Sequence, residues 1–188
     1  LLAKTRAAPL LNASILELPY VRSAEATESV SMFVVLPEEG SSLAELTQTM
    51  AENPDLFSEE LTETYTSSRA LIGVSLPKWE GTSDSMELRP HLERMGMSLP
   101  FSDSADFKGM LKDGIGPDIK IAEVFHKTFI AVDEEGTEAA GATAVVVVDT
   151  SAPGFGGEFH ANRPFVYVLR ENTTGSLLFL GHVAEPNL

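Results

Sequence analysis

Apolar residues recur along this chain in two spacings, and each spacing predicts a different element. Ser14-Ile15-Leu16-Glu17-Leu18 alternates and is closed by Pro19-Tyr20. Ser31-Met32-Phe33-Val34-Val35-Leu36 is a continuous apolar run ending at Pro37, and residues 69–76 alternate loosely before Pro77. Residues 119–132 are rich in β-branched and aromatic side chains. Phe165-Val166-Tyr167-Val168-Leu169 and Leu177-Leu178-Phe179-Leu180 flank the turn-like Glu171-Asn172-Thr173-Thr174-Gly175. These runs predict strands, the last two forming a hairpin. Helical spacing is scarcer. Ser42 and Glu45 have capping-box spacing before Leu43, Leu46 and Met50, which share one helical face. Residues 58–63 predict a second short helix and residues 85–97 a third, with Pro90 near its start and Gly96 at its end. Many strands and few helices predict an α+β protein with mainly antiparallel sheets.

One segment fits neither spacing. Glu134-Glu135-Gly136-Thr137-Glu138-Ala139-Ala140-Gly141-Ala142-Thr143 begins acidic and continues with small residues; four valines follow, and residues 149–157 read as flexible loop. One reading is a buried strand followed by a loop. The other is a strand-competent segment that spends part of its life outside a sheet. Small side chains meet little steric resistance between two strands. In strand alternation Thr137, Ala139, Gly141, Thr143, Val145 and Val147 share one face, with Glu138 toward solvent.

Composition narrows the classes of function. The 188 residues suit one domain, and 43% hydrophobic against 22% charged residues suits a packed core. The net charge of −15 argues against nucleic acid and anionic membrane as partners. Cysteine is absent, which removes disulfides, thiolate nucleophiles and Cys-ligated metals. No run approaches the roughly 18 apolar residues of a membrane span. Leu1-Leu2-Ala3-Lys4-Thr5-Arg6 lacks the order of a signal peptide, and the chain, without an initiator Met, reads as starting in the middle of something. The four histidines, His91, His126, His160 and His182, have no metal-ligand spacing, and no Gly-x-Ser-x-Gly occurs. Gly154-Phe155-Gly156-Gly157 lacks the context of a phosphate loop. These absences predict a protein that is not an enzyme and takes no cofactor.

Several stretches resemble the serpins, the serine protease inhibitor family. Phe125-His126-Lys127 through Thr143 is similar to the family's sheet strand running into the hinge of its reactive-centre loop. Phe159-His160-Ala161-Asn162-Arg163-Pro164-Phe165 resembles the motif that follows that loop. Leu178-Phe179-Leu180-Gly181-His182-Val183 resembles the closing strand, and Leu76-Pro77-Lys78-Trp79 and residues 31–37 match two further landmarks. The likeness covers essentially the whole chain but only the C-terminal half of the family's domain. It therefore implies a missing N-terminal half as partner and an incomplete fold without it, with unpaired strand edges.

The resemblance implies a hinge at residues 134–143 within a loop spanning 134–158. Gly136 bends, and Thr137 is the first residue to insert between strands. It makes His126 a gate beneath the point where the sheet opens, and Lys78 with Glu134 a pair at the top. Counting from Gly136 as in inhibitory relatives places the cleaved bond at Thr150-Ser151. A strand from Thr137 to Val148 spans about 40 Å, enough to carry an attached protease along a sheet. The implied activity is irreversible suicide-substrate inhibition outside the cell. Residues between Lys127 and Arg163 include no Lys or Arg. The expected target is thus an elastase-, chymotrypsin- or subtilisin-like serine protease rather than a trypsin-like one. The alternatives are a non-inhibitory chaperone or carrier of the same fold, and an acidic extracellular β-rich binding module. Asn12-Ala13-Ser14 and Asn172-Thr173-Thr174 are glycosylation sequons.

Overall fold

A computed structural model of the chain describes residues 2–20, 29–133, 136–137 and 155–186. The strands are β1 (Leu2–Ala8), β2 (Ala13–Pro19), β3 (Val30–Pro37), β4 (Ala70–Ser75), β5 (Trp79–Thr82), β6 (Met86–Glu87), β7 (Phe125–His126), β8 (Phe129–Asp133), β9 (Gly136–Thr137), β10 (Phe155–His160), β11 (Phe165–Glu171) and β12 (Leu177–Val183). The α-helices are α1 (Leu43–Glu52), α2 (Pro54–Thr66) and α3 (Arg89–Arg94). Two compact units result: one combines Leu1–Trp79 with Asp133–Leu188, the other is Glu80–Val132.

The first unit is a seven-stranded sheet in the order β10-β4-β1-β2-β3-β11-β12. Its neighbours are antiparallel except β10, which runs parallel to β4. Register places Ile15, Val35 and Val166 in one row, so alternate residues of three strands point the same way. Phe33, Val35, Val166 and Val168 bury that face against Leu46 and Met50 of α1 and Phe57 and Leu61 of α2. The α1 start follows from the predicted capping box: Ser42 Oγ accepts from the Glu45 amide at 3.1 Å, and Glu45 accepts from the Ser42 amide at 2.8 Å. On the opposite face Trp79 packs edge-on to Phe165 and beside Tyr167, with ring centroids 5.4 and 5.5 Å apart.

Several sequence expectations are revised. β1 lies outside the runs that predict strands, because Lys4 and Arg6 disguise a buried strand. Lys4 pairs with fully buried Glu17 at 2.9 Å, and Arg6 pairs with Glu60 and Glu63 of α2. The second helix is longer than residues 58–63, because Pro54 opens it and Phe57, Leu61 and Thr64 bury its inner face. The third is shorter than 85–97: it begins at Arg89, and Met86–Glu87 pair instead with Phe125–His126. The long strand expected over 119–132 is broken. Ser83 Oγ accepts from the Thr128 amide at 2.8 Å, between β7 and β8, while Arg89 donates to the Ala122 carbonyl at 2.8 Å. Residues 155–157, expected within a loop, belong to β10.

In the second unit, β5 and β8 are neighbours and β6 pairs with β7. Ile130 and Val132 are buried there, whereas Phe125 and Phe129 are exposed. Among the described residues no helix is long and apolar enough to cross a membrane.

Candidate functional site

The segment of interest leaves β8 at Asp133 and returns in β10 at Phe155. Gly136 and Thr137 have strand backbone. Glu134, Glu135 and residues 138–154 lie outside the described residues. That range includes Glu138, Ala139, Ala140, Gly141, Ala142 and Thr143 of the predicted hinge and the predicted bond, Thr150-Ser151.

The downstream end is fastened at successive positions. β10 adds to the edge of the large sheet, with Phe159 opposite Val74 and His160 opposite Ser75. Gly156 makes this possible: a Cβ there would lie 2.5 Å from the Ala70 Cβ and 2.8 Å from Ile72 Cδ1. Gly157 follows with φ +105°, a conformation strained for any other residue. The Ala161 amide then donates to the Ser75 carbonyl at 2.9 Å, and Arg163 Nε donates to the Pro37 carbonyl at 2.7 Å. Phe159, Ala161 and Phe165 are buried. Residues 159–165 thus form a clasp: alternate apolar groups enter the core while Arg163 satisfies the last carbonyl of β3.

His126 is exposed on β7, opposite Met86. Lys78 is exposed, just before β5. Glu134, its expected partner, is outside the described residues. Among the described residues no cluster of three His, Asp or Glu side chains suits a metal ion.

A feature not anticipated from sequence is an apolar groove of about 460 Å³ in the first unit, lined by Met50, Phe57, Leu61, Val166, Leu180 and His182. Beside it β12 is an edge strand with Leu177, Leu178 and Leu180 each about half exposed. Adjacent residues of a strand face opposite ways, so β12 offers apolar surface on both faces. The sequence signal for this was the unbroken Leu177-Leu178-Phe179-Leu180, which reads equally as a central buried strand.

A family model described as "Serpin (serine protease inhibitor)" matches residues 3–186. The chain belongs to the serpin family. It is 36% identical over 173 residues to Serpin-Z2A of Triticum aestivum, covering 92% of this chain and 42% of that protein. It is 38% identical to Serpin-Z7 of Hordeum vulgare over 172 residues, 92% of this chain and 41% of that one. It is 35% identical to human Serpin B4 over 176 residues, 94% and 42% of the two chains. Among solved structures, the native stressed conformation of Arabidopsis AtSerpin1 superposes with a TM-score of 0.64 at 27% identity, covering 98% of this chain and 46% of that one. Serpin-12 of Manduca sexta, at 21% identity, shares the fold with a TM-score of 0.69, covering 100% and 45% of the two chains. The chain therefore spans less than half the length of the serpins it matches. Its α+β architecture is that of part of a serpin domain.

Proposed function

We propose that this serpin chain supplies the bait loop and the inserting strand of an irreversible, suicide-substrate inhibitor of serine proteases. The observation that carries the reading is the combination of family membership with the segment Thr137–Thr143. Its residues are small or uncharged wherever strand alternation turns them inward, and Glu138 falls on the outward face. A bulky or charged inward residue would oppose insertion. The clasped β10 and the buried part of β8 give the segment two anchored ends.

In this reading the protease serine Oγ attacks the carbonyl carbon of Thr150. The peptide bond to Ser151 breaks, the Ser151 nitrogen leaves as an amine with the proton relayed by the protease histidine, and an ester to Thr150 remains. Residues 137–148 then enter the sheet as a new strand, gaining backbone hydrogen bonds and apolar burial. The ester is dragged with them before water hydrolyses it. Small residues around the bond, Val147, Val148, Thr150 and Ala152, suit shallow apolar pockets. Elastase- and subtilisin-like enzymes are thus favoured targets. A chymotrypsin-like enzyme cutting after Phe155 would lengthen the loop and favour turnover.

Two further parts belong to the same reading. The remaining portion of the serpin domain covers the groove between α1, α2, β11 and β12 and pairs with the free edge of β12. The site of action is extracellular, which detection of the native protein in culture medium or in washed cells decides.

The test is to mix the complete inhibitor with elastase, subtilisin and trypsin and to resolve the products under denaturing conditions. The expected result is a covalent complex with elastase or subtilisin, none with trypsin, and cleavage at Thr150-Ser151 by mass spectrometry. Cleavage without a complex, a complex with trypsin alone, or a cut more than two residues away overturns the reading.

A further inference from the structure

The chain contains two Asn-x-Ser/Thr triplets, Asn12-Ala13-Ser14 and Asn172-Thr173-Thr174, and inhibition uses neither. Asparagine Nδ2 carries two hydrogens, and an N-linked oligosaccharide replaces one of them. A glycan is compatible with the fold only where one hydrogen is dispensable and the replacing group reaches solvent.

Asn172 fails the first condition. Its Nδ2 donates to Ser31 Oγ at 2.9 Å and to Ser29 Oγ at 3.4 Å, so both hydrogens are engaged. Ser31 has no exposed surface and donates its own hydroxyl to Glu17 Oε1 at 2.7 Å. Glu17, also fully buried, pairs with Lys4 at 2.9 Å. The Asn172 amide is thus the end of a polar line crossing β1, β2 and β3. A sugar on that nitrogen would displace the donor to Ser31 and break the polar line at its end.

Asn12 meets both. It ends the short 3₁₀ turn Pro9–Leu11 in the left-handed conformation (φ 49°, ψ 50°) and is exposed, as are Pro9 and Leu10. Its carbonyl accepts from the Glu38 amide at 2.9 Å, which fixes the corner. One Nδ2 hydrogen is donated to Ser41 Oγ. The other has no partner among the described residues.

We infer that Asn12 is an N-glycan acceptor and that Asn172 is silent despite its matching triplet. The inference rests on the extracellular part of the proposed function. The oligosaccharide comes from a lipid diphosphate donor. The Nδ2–C1 bond forms, the bond from C1 to the diphosphate oxygen breaks, and the amide loses one proton.

The experiment is secretion of the full-length protein, behind an appended signal sequence, from a eukaryotic cell that glycosylates asparagine. Enzymatic deglycosylation in heavy-oxygen water then marks each former acceptor as labelled aspartate for mass spectrometry. The expected result is label at Asn12 in most molecules and none at Asn172. Asn12→Gln and Ser14→Ala each abolish the single glycan shift on gels, and Thr174→Ala preserves it. Unlabelled Asn12, or label at Asn172 in the soluble secreted fraction, overturns the inference. The appended signal makes the result independent of the native compartment, so failure here is distinct from failure of the extracellular reading.

Discussion

Lys4 is a cation within a sheet, 8% exposed, and it is tolerable there because Glu17 lies 2.9 Å away and the Tyr65 ring stands 4.4 Å beneath its ammonium. Removing one partner leaves a buried charge alone. Lys4→Ala should therefore weaken the β1–β2 ladder by about 3–5 kcal/mol, whereas Lys4→Met combined with Glu17→Leu should retain most of the stability. Native-state hydrogen exchange of the β1 and β2 amides in the complete protein measures both. A second residue-scale case is Glu171. Its carboxylate accepts from the Thr173 and Thr174 amides at 2.7 Å each and from the Thr174 hydroxyl at 2.6 Å. The Thr174 hydroxyl and then these amides hold its pKa down to about 2. Because the folded value lies below the unfolded value of about 4.3, the contribution is fully present above that pH. It fades as pH falls from there toward 2. Protection of the Thr173 and Thr174 amides, taken against their intrinsic exchange rates, should fall across that window, and Glu171→Gln should remove this pH dependence of protection.

At the scale of elements, the pairing of β10 with β4 depends on one glycine. Gly156→Val places a side chain on Ala70 and Ile72, so β10 should part from β4 at its first residues at a cost of about 1–3 kcal/mol. Limited proteolysis after Phe155 reads this directly, since residues paired in a ladder resist cleavage. Strand β10 was hidden in the sequence because two adjacent glycines read as loop; Gly156 is there because Ala70 and Ile72 of β4 leave no room for a Cβ, and Gly157 because its φ is positive, and neither reason is visible until β4 is beside them. β1 was hidden by its lysine and arginine, whose partners come from Glu17, Glu60 and Glu63, residues distant in the chain. By contrast β2, β3, β11 and α1 were legible, because their apolar period and the Ser42–Glu45 cap act locally. Of the site, the clasp at residues 159–165 was legible by resemblance, whereas its buried face and the Pro37 contact needed coordinates. If residues 137–148 insert as proposed, Thr137→Arg should turn the proposed inhibitor into a substrate. An inward guanidinium delays insertion while acylation proceeds, so hydrolysis overtakes trapping. Unchanged stoichiometry against elastase would contradict the assigned face.

For the whole molecule, the groove beside α1 and α2 and the two-faced apolar β12 decide how this chain behaves by itself. Exposed apolar surface on an edge strand favours association. The isolated 188-residue chain should therefore not form a stable monomer. Analytical ultracentrifugation should find aggregates or self-associated species, and adding the remaining portion of the domain should restore a cooperative unfolding transition. A concentration-independent, cooperative melt of the lone monomer would contradict this.

The packing of Trp79 against Phe165 and Tyr167 has an optical consequence. Trp79 is the sole tryptophan of the chain, so every photon of indole emission from it originates at one spot, against the first residues of β11, where the clasp ends. Emission from this chain will be blind to fraying of α1 or of the β11–β12 turn. It will shift to longer wavelength and change in quenching only when water reaches the aromatic cluster. This chain thereby carries a built-in dye at the start of β11, ready for stopped-flow recording without any label.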